Sequence, residues 1–333
     1  MNKAILLLLF VACSIQMVFA QTYPEDFIIP LSGKKVSSSL YKKIDFLDSR
    51  PTERMLNRKP KTVTSLPLPY QLTNLMDSIT DTTAKEGELL LQLRLFNFAE
   101  ITGNMSQKGN CYLRAVLYVK KDNRYQKINS LDTSVAIQVS PNLSKLALQN
   151  AGKVLAAFVS DNLLQIPVDS TSYSLNDIKG IEDIEKRSIK FYATSIYTDG
   201  IYLSYNSLKD QLPDIEITDA SMTATGNLFG VRTKKNEEKV KIKPRDIYAV
   251  VYKGIPYKAT KYGLYEMKKI NGNFFFTGNI EIKSDVGDAA TNGAAFGLLG
   301  VVSSLGEEET YDMTLDYVNG QLIRIKKIES DIP

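Results

Sequence analysis

The 333-residue chain has no histidine and no tryptophan, and only two cysteines. Without imidazole it cannot assemble a Ser-His-Asp or Cys-His nucleophile, because those sites need a base that titrates near neutrality. Zinc sites draw on histidine and on several cysteines together, so no metal site and no cofactor is expected. Without tryptophan, sugar-cleaving chemistry loses its commonest aromatic platform. A large excess of charge is also missing: 41 Lys and Arg stand against 37 Asp and Glu, a net of +4. That balance is too even for a nucleic-acid partner, which calls for a strong basic excess.

What is present begins with a leader-like segment. Met1-Asn2-Lys3 carries one positive charge, Ala4 to Ala12 is almost wholly apolar, and Val18-Phe19-Ala20 places acceptable residues before a cut at Gln21. Residues 1–20 are therefore expected to be a secretory signal peptide. A rival reading makes Phe10-Val11-Ala12-Cys13 a lipobox with Cys13 lipidated, although Phe10 stands where Leu is usual and apolar residues run on to Ala20. Cleavage before Gln21 would leave Cys111 alone. With no internal disulfide available, an exported chain would then hold together by core burial alone.

Residues 21–85 read as irregular, with frequent Pro and polar residues, as in Arg58-Lys59-Pro60-Lys61 and Leu66-Pro67-Leu68-Pro69. Leu89, Leu91, Leu93 and Leu95 then alternate with polar neighbours, as in a half-buried strand. Cys111, Leu113, Ala115, Leu117 and Val119 form a second apolar row, and Val135, Ile137 and Val139 a third. Ser140-Pro141 is a helix start, and Leu143, Leu146, Ala147, Ala151, Val154, Leu155 and Phe158 follow at helical spacing. These elements predict an α+β domain over 27–166, with N-terminal strands covered by one long helix. Residues 167–186 read as a linker. A mainly antiparallel β domain, as a sheet or open barrel, is expected over 187–333. Its strands are placed at 189–196, 201–205, 246–252, 263–268, 273–277, 311–318 and 322–328. A helical turn is placed at 207–212, and Asn271-Gly272 and Asn319-Gly320 are expected to form type I′ hairpin turns.

Asp199-Gly200-Ile201-Tyr202-Leu203-Ser204-Tyr205 with Asp214-Ile215, and the later run Ile247 to Tyr257, resemble short motifs of secreted and envelope proteins of Bacteroidetes-type bacteria. The likeness covers about the last 140 residues. Phe46-Leu47-Asp48-Ser49-Arg50-Pro51 is similar to a segment of small bacterial envelope lipoproteins and transport auxiliary components. What these resemblances imply is a compartment: cell envelope, periplasm or outer membrane, or the secreted fraction.

Two catalytic routes survive without histidine. Ser39-Leu40-Tyr41-Lys42 fits S-x-x-K and Ser160-Asp161-Asn162 fits S-D-N, but no Lys-Thr-Gly completes the set, and the second triplet also reads as a helix end. A carboxylate pair could be drawn from Asp45, Asp48, Glu182, Asp183, Asp210, Asp214 and Glu216. Ala151-Gly152-Lys153 imitates a phosphate loop but falls within the helix. Val231 to Arg245 is the densest basic stretch, and Lys239-Val240-Lys241-Ile242-Lys243 alternates as a charge-guarded strand or a face for an anionic surface. Residues 287–306 are Gly/Ala-rich. Gly293, Phe296, Gly297, Leu298, Leu299 and Gly300 make a small-residue pattern suited to a membrane or homo-oligomer contact, with a flexible loop as the alternative. The apolar run there, 294–305, is too short to span a bilayer. Together these features predict an exported, non-catalytic envelope protein with a binding or structural role. Its partner would be an envelope protein or a membrane surface. The alternatives are an accessory subunit of an outer-membrane or transport assembly, and a carboxylate-dependent hydrolase.

Overall fold

The computed structural model describes residues 27–50, 66–102, 107–138, 143–167, 169–236, 238–281 and 308–328. The six residues singled out in the Gly/Ala-rich segment lie outside them, as do residues 1–20. The chain is mostly β, with antiparallel sheets and a smaller helical share.

The first half is one five-stranded sheet, ordered β1-β2-β3-β4-β5: Tyr41–Asp48, Gly87–Thr102, Gln107–Lys121, Arg124–Gln138 and Ser172–Tyr173. β1 runs parallel to β2, and the other neighbours are antiparallel. Between β1 and β2 lies helix α1, Leu68–Ile79, and after β4 comes α2, Leu143–Asp161. The expectation of one long covering helix thus gives way to two. α1 arises in the segment read as irregular. Its prolines sit at the helix start, where a missing N–H costs nothing, and Leu68, Leu72, Leu75, Met76 and Ile79 recur down one buried face.

Both helices share a core with the inward rows of the sheet, Leu89, Leu91 and Leu93 on β2 and Cys111, Leu113, Ala115 and Leu117 on β3. The N-terminal segment is clamped onto this layer by buried Gln71 of α1. Its Oε1 accepts from the Ile29 N–H at 2.7 Å and its Nε2 donates to the Phe27 carbonyl at 3.3 Å. The segment then passes so close to α2 that a Cβ on Gly152 would lie 2.0 Å from the Ile28 carbonyl oxygen. The phosphate-loop look-alike is therefore a packing glycine.

The stretch 167–186, read as a linker, carries β5, α3 (Leu175–Lys179) and most of α4 (Ile181–Ser188). Ile178 of α3 is fully buried against Leu90, Val116 and Tyr118 on the other face of the sheet. The strand expected at 189–196 is instead α5, Lys190–Ala193, with Phe191 and Tyr192 both buried. Adjacent buried aromatics fit neither a simple alternation nor a lone amphipathic face; tertiary packing decides.

The second half has three antiparallel sheets where one sheet or barrel was expected. One is ordered β12-β11-β10-β6, from Gly263–Glu266, Ile255–Thr260, Ala249–Tyr252 and Gly200–Tyr202. A second is β13-β14-β15-β16, from Lys268–Ile270, Asn273–Glu281, Glu308–Leu315 and Leu322–Lys327. The third is β7-β8-β9, from Asp219–Met222, Leu228–Lys235 and Glu238–Ile242. The helical turn is α6, Tyr205–Lys209, begun by a reciprocal cap between Ser204 and Ser207. Asn271 and Gly272 have φ of 48° and 75°, the pair of positive values a type I′ turn needs. At Asn319-Gly320 only Gly320 has positive φ, 74°, and Asp316 pairs with Gln321 to close a wider loop. That loop forms one wall of the site described next.

Candidate functional site

A cleft of about 290 Å³ opens between the outer face of the five-stranded sheet and the β13–β16 sheet. Its first wall depends on an irregularity in β2. The β2–β3 register shifts between Leu93 and Leu95, so Arg94 is bulged and the side-chain phase reverses. Phe96 takes over in the core and Leu95 turns out, opposite Arg114, to line the cleft. A strict alternation from Leu89 to Leu95, as the sequence suggested, ends at this bulge.

The second wall is the 316–321 loop, and the backbone there is held from beneath by three tyrosines, buried Tyr192 and Tyr205 and half-buried Tyr248. Tyr192 Oη donates to the Leu315 carbonyl at 3.3 Å, Tyr205 Oη to Tyr317 at 2.5 Å and Tyr248 Oη to Gly320 at 2.6 Å. Burial raises the pKa of all three, so they stay protonated donors. The loop thereby presents Asp316 and Tyr317 to the first wall.

Two charge networks cross between the walls. Arg114 is 9% exposed and Asp316 is 6% exposed. The Arg114 guanidinium donates from Nη1 and Nη2 to Asp316 at 3.2 and 2.8 Å, and from Nε and Nη2 to Asp132 at 3.1 Å each. Burial works to lower the Arg114 pKa, but the Asp316 and Asp132 carboxylates outweigh it and raise it. Asp316 also accepts from the Val318 N–H at 2.9 Å, and Asn319 Nδ2 donates to Asp132 at 3.3 Å.

In the second network Arg94 grips Glu185 of α4 with two bonds, at 3.0 and 2.8 Å. Tyr317 Oη donates to the same carboxylate at 2.6 Å and is itself bonded by Arg94. Burial would raise Glu185, yet the Arg94 guanidinium and the Tyr317 hydroxyl hold it below the usual carboxylate range. Lys186, one residue on, donates to Glu182 at 2.7 Å and to Asn273 across the cleft, with its ammonium 4.9 Å from the Tyr317 ring centre. Of the charged side chains lining the cleft, two are cations, Arg94 and Arg114, and two are carboxylates, Glu182 and Asp316. Each is already paired. The remaining lining is largely apolar, including Leu95, Phe275, Leu315, Ile323 and Ile325.

Of the catalytic candidates drawn from sequence, only Glu182 lines this cleft. Asp48 is engaged by Arg50, and Asp214 accepts from the Leu203 N–H. Asp45 is raised by burial and by a hydrogen bond with Glu88, a neighbour the sequence did not suggest; neither lines the cleft. Ser39 is fully buried and bonded to the backbone of Tyr41, while Lys42 pairs with Glu86, so no Ser-Lys pair forms. Asn162 ends α2, donating to the Phe158 carbonyl at 2.7 Å. Cys111 is buried on its apolar row, and burial pushes its thiol up to about 12. Among the described residues, no three His, Cys, Asp or Glu gather where they could hold a metal ion, and no helix is long and apolar enough to cross a membrane.

Arg94, Arg114, Asp316 and Tyr317 were not singled out from sequence. The only available signal was local: Arg114 shares a strand face with Val116 and Tyr118, an odd place for an unpaired cation. No protein-family model, no curated protein and no solved structure matches the chain.

Proposed function

We propose that the protein is an exported, non-catalytic component of the bacterial cell envelope that binds a small, uncharged and mostly apolar ligand in the cleft between its two halves. The observation that carries this reading is the cleft itself. Its lining is largely apolar, and each charged side chain in it is already paired: Arg114 with Asp316, Arg94 with Glu185 and Glu182 with Lys186. A charged ligand would have to break a bidentate pair to gain a partner, whereas an apolar one needs only to displace water. The same pairing argues against hydrolysis. The two carboxylates in the lining, Asp316 and Glu182, are each hydrogen-bonded to a cation rather than set against one another as an acid and base pair. Export rests on the leader-like residues 1–20.

Native mass spectrometry of the protein recovered from the envelope fraction tests both parts. The expected species starts at Gln21 and carries one non-covalent adduct of about 200–300 Da, the mass such a volume holds, released on denaturation. Diacylglycerol on Cys13 would contradict soluble export. An adduct-free chain, or one found only in the cytoplasm, would contradict the binding or the export reading respectively.

A further inference from the structure

The lining of the cleft is not uniform along its length. Phe274, Phe276 and Met313 turn into the core of the second half, so Asn273, Phe275 and Thr314 face the cleft. Across the sheet Phe275 stands opposite Thr314, and Thr314 opposite Ile323. Asn273 on β14 and Ile323 on β16 are two strand spacings apart, about 10 Å. The corner at Asn273 is polar apart from Ile270. Lys186 donates to both Asn273 and Glu182, which brings those two side chains together. Asn271 lies beside them in the turn, its carbonyl accepting from Asn273 Nδ2 at 3.5 Å. The far side, with Ile323 and Ile325, is apolar.

That corner also holds unused hydrogen-bonding capacity. Among the described residues, the Asn271 side-chain amide makes no hydrogen bond, and Glu182 is bonded through Oε1 alone. The lining hydroxyls of Thr314 and Ser49 are engaged elsewhere: Thr314 donates to the Phe274 carbonyl at 2.9 Å, and Ser49 accepts from Gln92 at 3.0 Å. We propose that the ligand of this cleft is a long-chain alcohol, its hydroxyl at the Asn271–Glu182 corner and its alkyl chain lying across β14 to β16. A hydroxyl accepts from the amide and donates to the second carboxylate oxygen, and both partners stand at this corner. A carboxylate head would meet Glu182 and an ammonium head would meet Lys186, each a like charge. A bare hydrocarbon would leave the amide without a partner. The inference rests on the reading of the cleft as a ligand site and names the head group that the site selects.

The test is displacement of N-phenyl-1-naphthylamine from the purified chain by 1-decanol, its methyl ether, decanoate or decylamine. The ether can accept a hydrogen bond but cannot donate one to Glu182. Decanol should therefore displace the dye about tenfold more tightly than the ether, and the two charged chains should be weaker than decanol as well. Asn271→Gly removes the amide and suits the φ of 48° at that position, so circular dichroism should be unchanged. It should weaken decanol and the ether alike, by about fivefold. Glu182→Ala should instead bring the two affinities together, since only the bond that decanol donates is lost. No saturable dye signal would overturn the cleft reading and this inference with it. A normal dye signal with decanol no tighter than its ether, or with decanoate the tightest, would overturn this inference alone. So would an Asn271→Gly chain that binds decanol as wild type does.

Discussion

Replacing Arg114 by Met tests whether the two halves are latched by a desolvated ion pair. The substitution keeps most of the side-chain volume and removes four hydrogen bonds, two to Asp316 and two to Asp132. Asp132 has a side chain 36% exposed and can rehydrate, so its loss costs under about 1 kcal/mol. Asp316 is 6% exposed and keeps only the Val318 N–H, so an uncompensated buried carboxylate remains. Breaking a pair of this kind costs about 3–5 kcal/mol. Asp316→Asn alone should cost about 1–2 kcal/mol, because Arg114 retains Asp132 and the amide oxygen can still accept from Val318. The double variant removes both charges and should recover about 2 kcal/mol relative to Arg114→Met. Urea unfolding followed by circular dichroism, with m-values compared, gives all four corners of the cycle. If the two single losses simply add, with coupling below about 0.5 kcal/mol, Asp316 is not desolvated and the latch is refuted.

Gly152→Ala should destabilise by about 1–3 kcal/mol despite the better helix propensity of Ala, because its Cβ would collide with the Ile28 carbonyl; a more stable variant in a thermal melt would show that residues 27–30 do not cross α2 there. Lys258 is buried without a carboxylate, donating to the carbonyls of Tyr248 and Ala259, and burial pulls its ammonium down to about 7. Between pH 7 and the unfolded value near 10.5 the unfolded chain holds more protons, so stability should rise with pH through this window until tyrosine ionisation intervenes. Unfolding free energies from urea titrations at pH 7 and pH 9 should therefore differ by about 2 kcal/mol in favour of the higher pH, and Lys258→Met should flatten the slope; an unchanged slope would refute the assignment. Cys111→Ser should cost about 1–3 kcal/mol by burying a hydroxyl, and the native thiol should resist water-soluble maleimide for as long as the chain stays folded.

The parts of the fold that were legible are those where one local rule acts alone. The apolar row of β3 alternates without interruption, α2 keeps its helical spacing, and Asn271-Gly272 has the two residues best suited to positive φ. Misreadings came where rules compete. The prolines at 67 and 69 make the segment read as irregular, yet at a helix start they are permitted, and the stripe of Leu72, Leu75, Met76 and Ile79 then forms the buried face of α1. Residues 181–193 read partly as linker and partly as strand, whereas acids at 182–183, bases at 186–187 and the Glu182–Lys186 spacing favour the helix that forms there. The cleft was hardly legible. Its defining pair, Arg114 and Asp316, is separated by 202 residues, and the turning of Leu95 depends on a bulge that no residue type announces. A buried ion pair becomes visible in sequence only when both partners are already known to meet.

The most direct measurement is titration of the purified chain with N-phenyl-1-naphthylamine, an uncharged apolar fluorophore small enough for a cleft of about 290 Å³. A largely apolar site whose charges are each already paired predicts saturable enhancement at one site per chain, with a dissociation constant of about 1–100 μM for a ligand of this size. It also predicts about a tenfold weakening in Leu95→Gln with the thermal melt little changed, since Leu95 is only half buried. Wild type that gives no saturable signal, or a Leu95→Gln variant that binds as tightly as wild type, would contradict the claim that this cleft is the binding site.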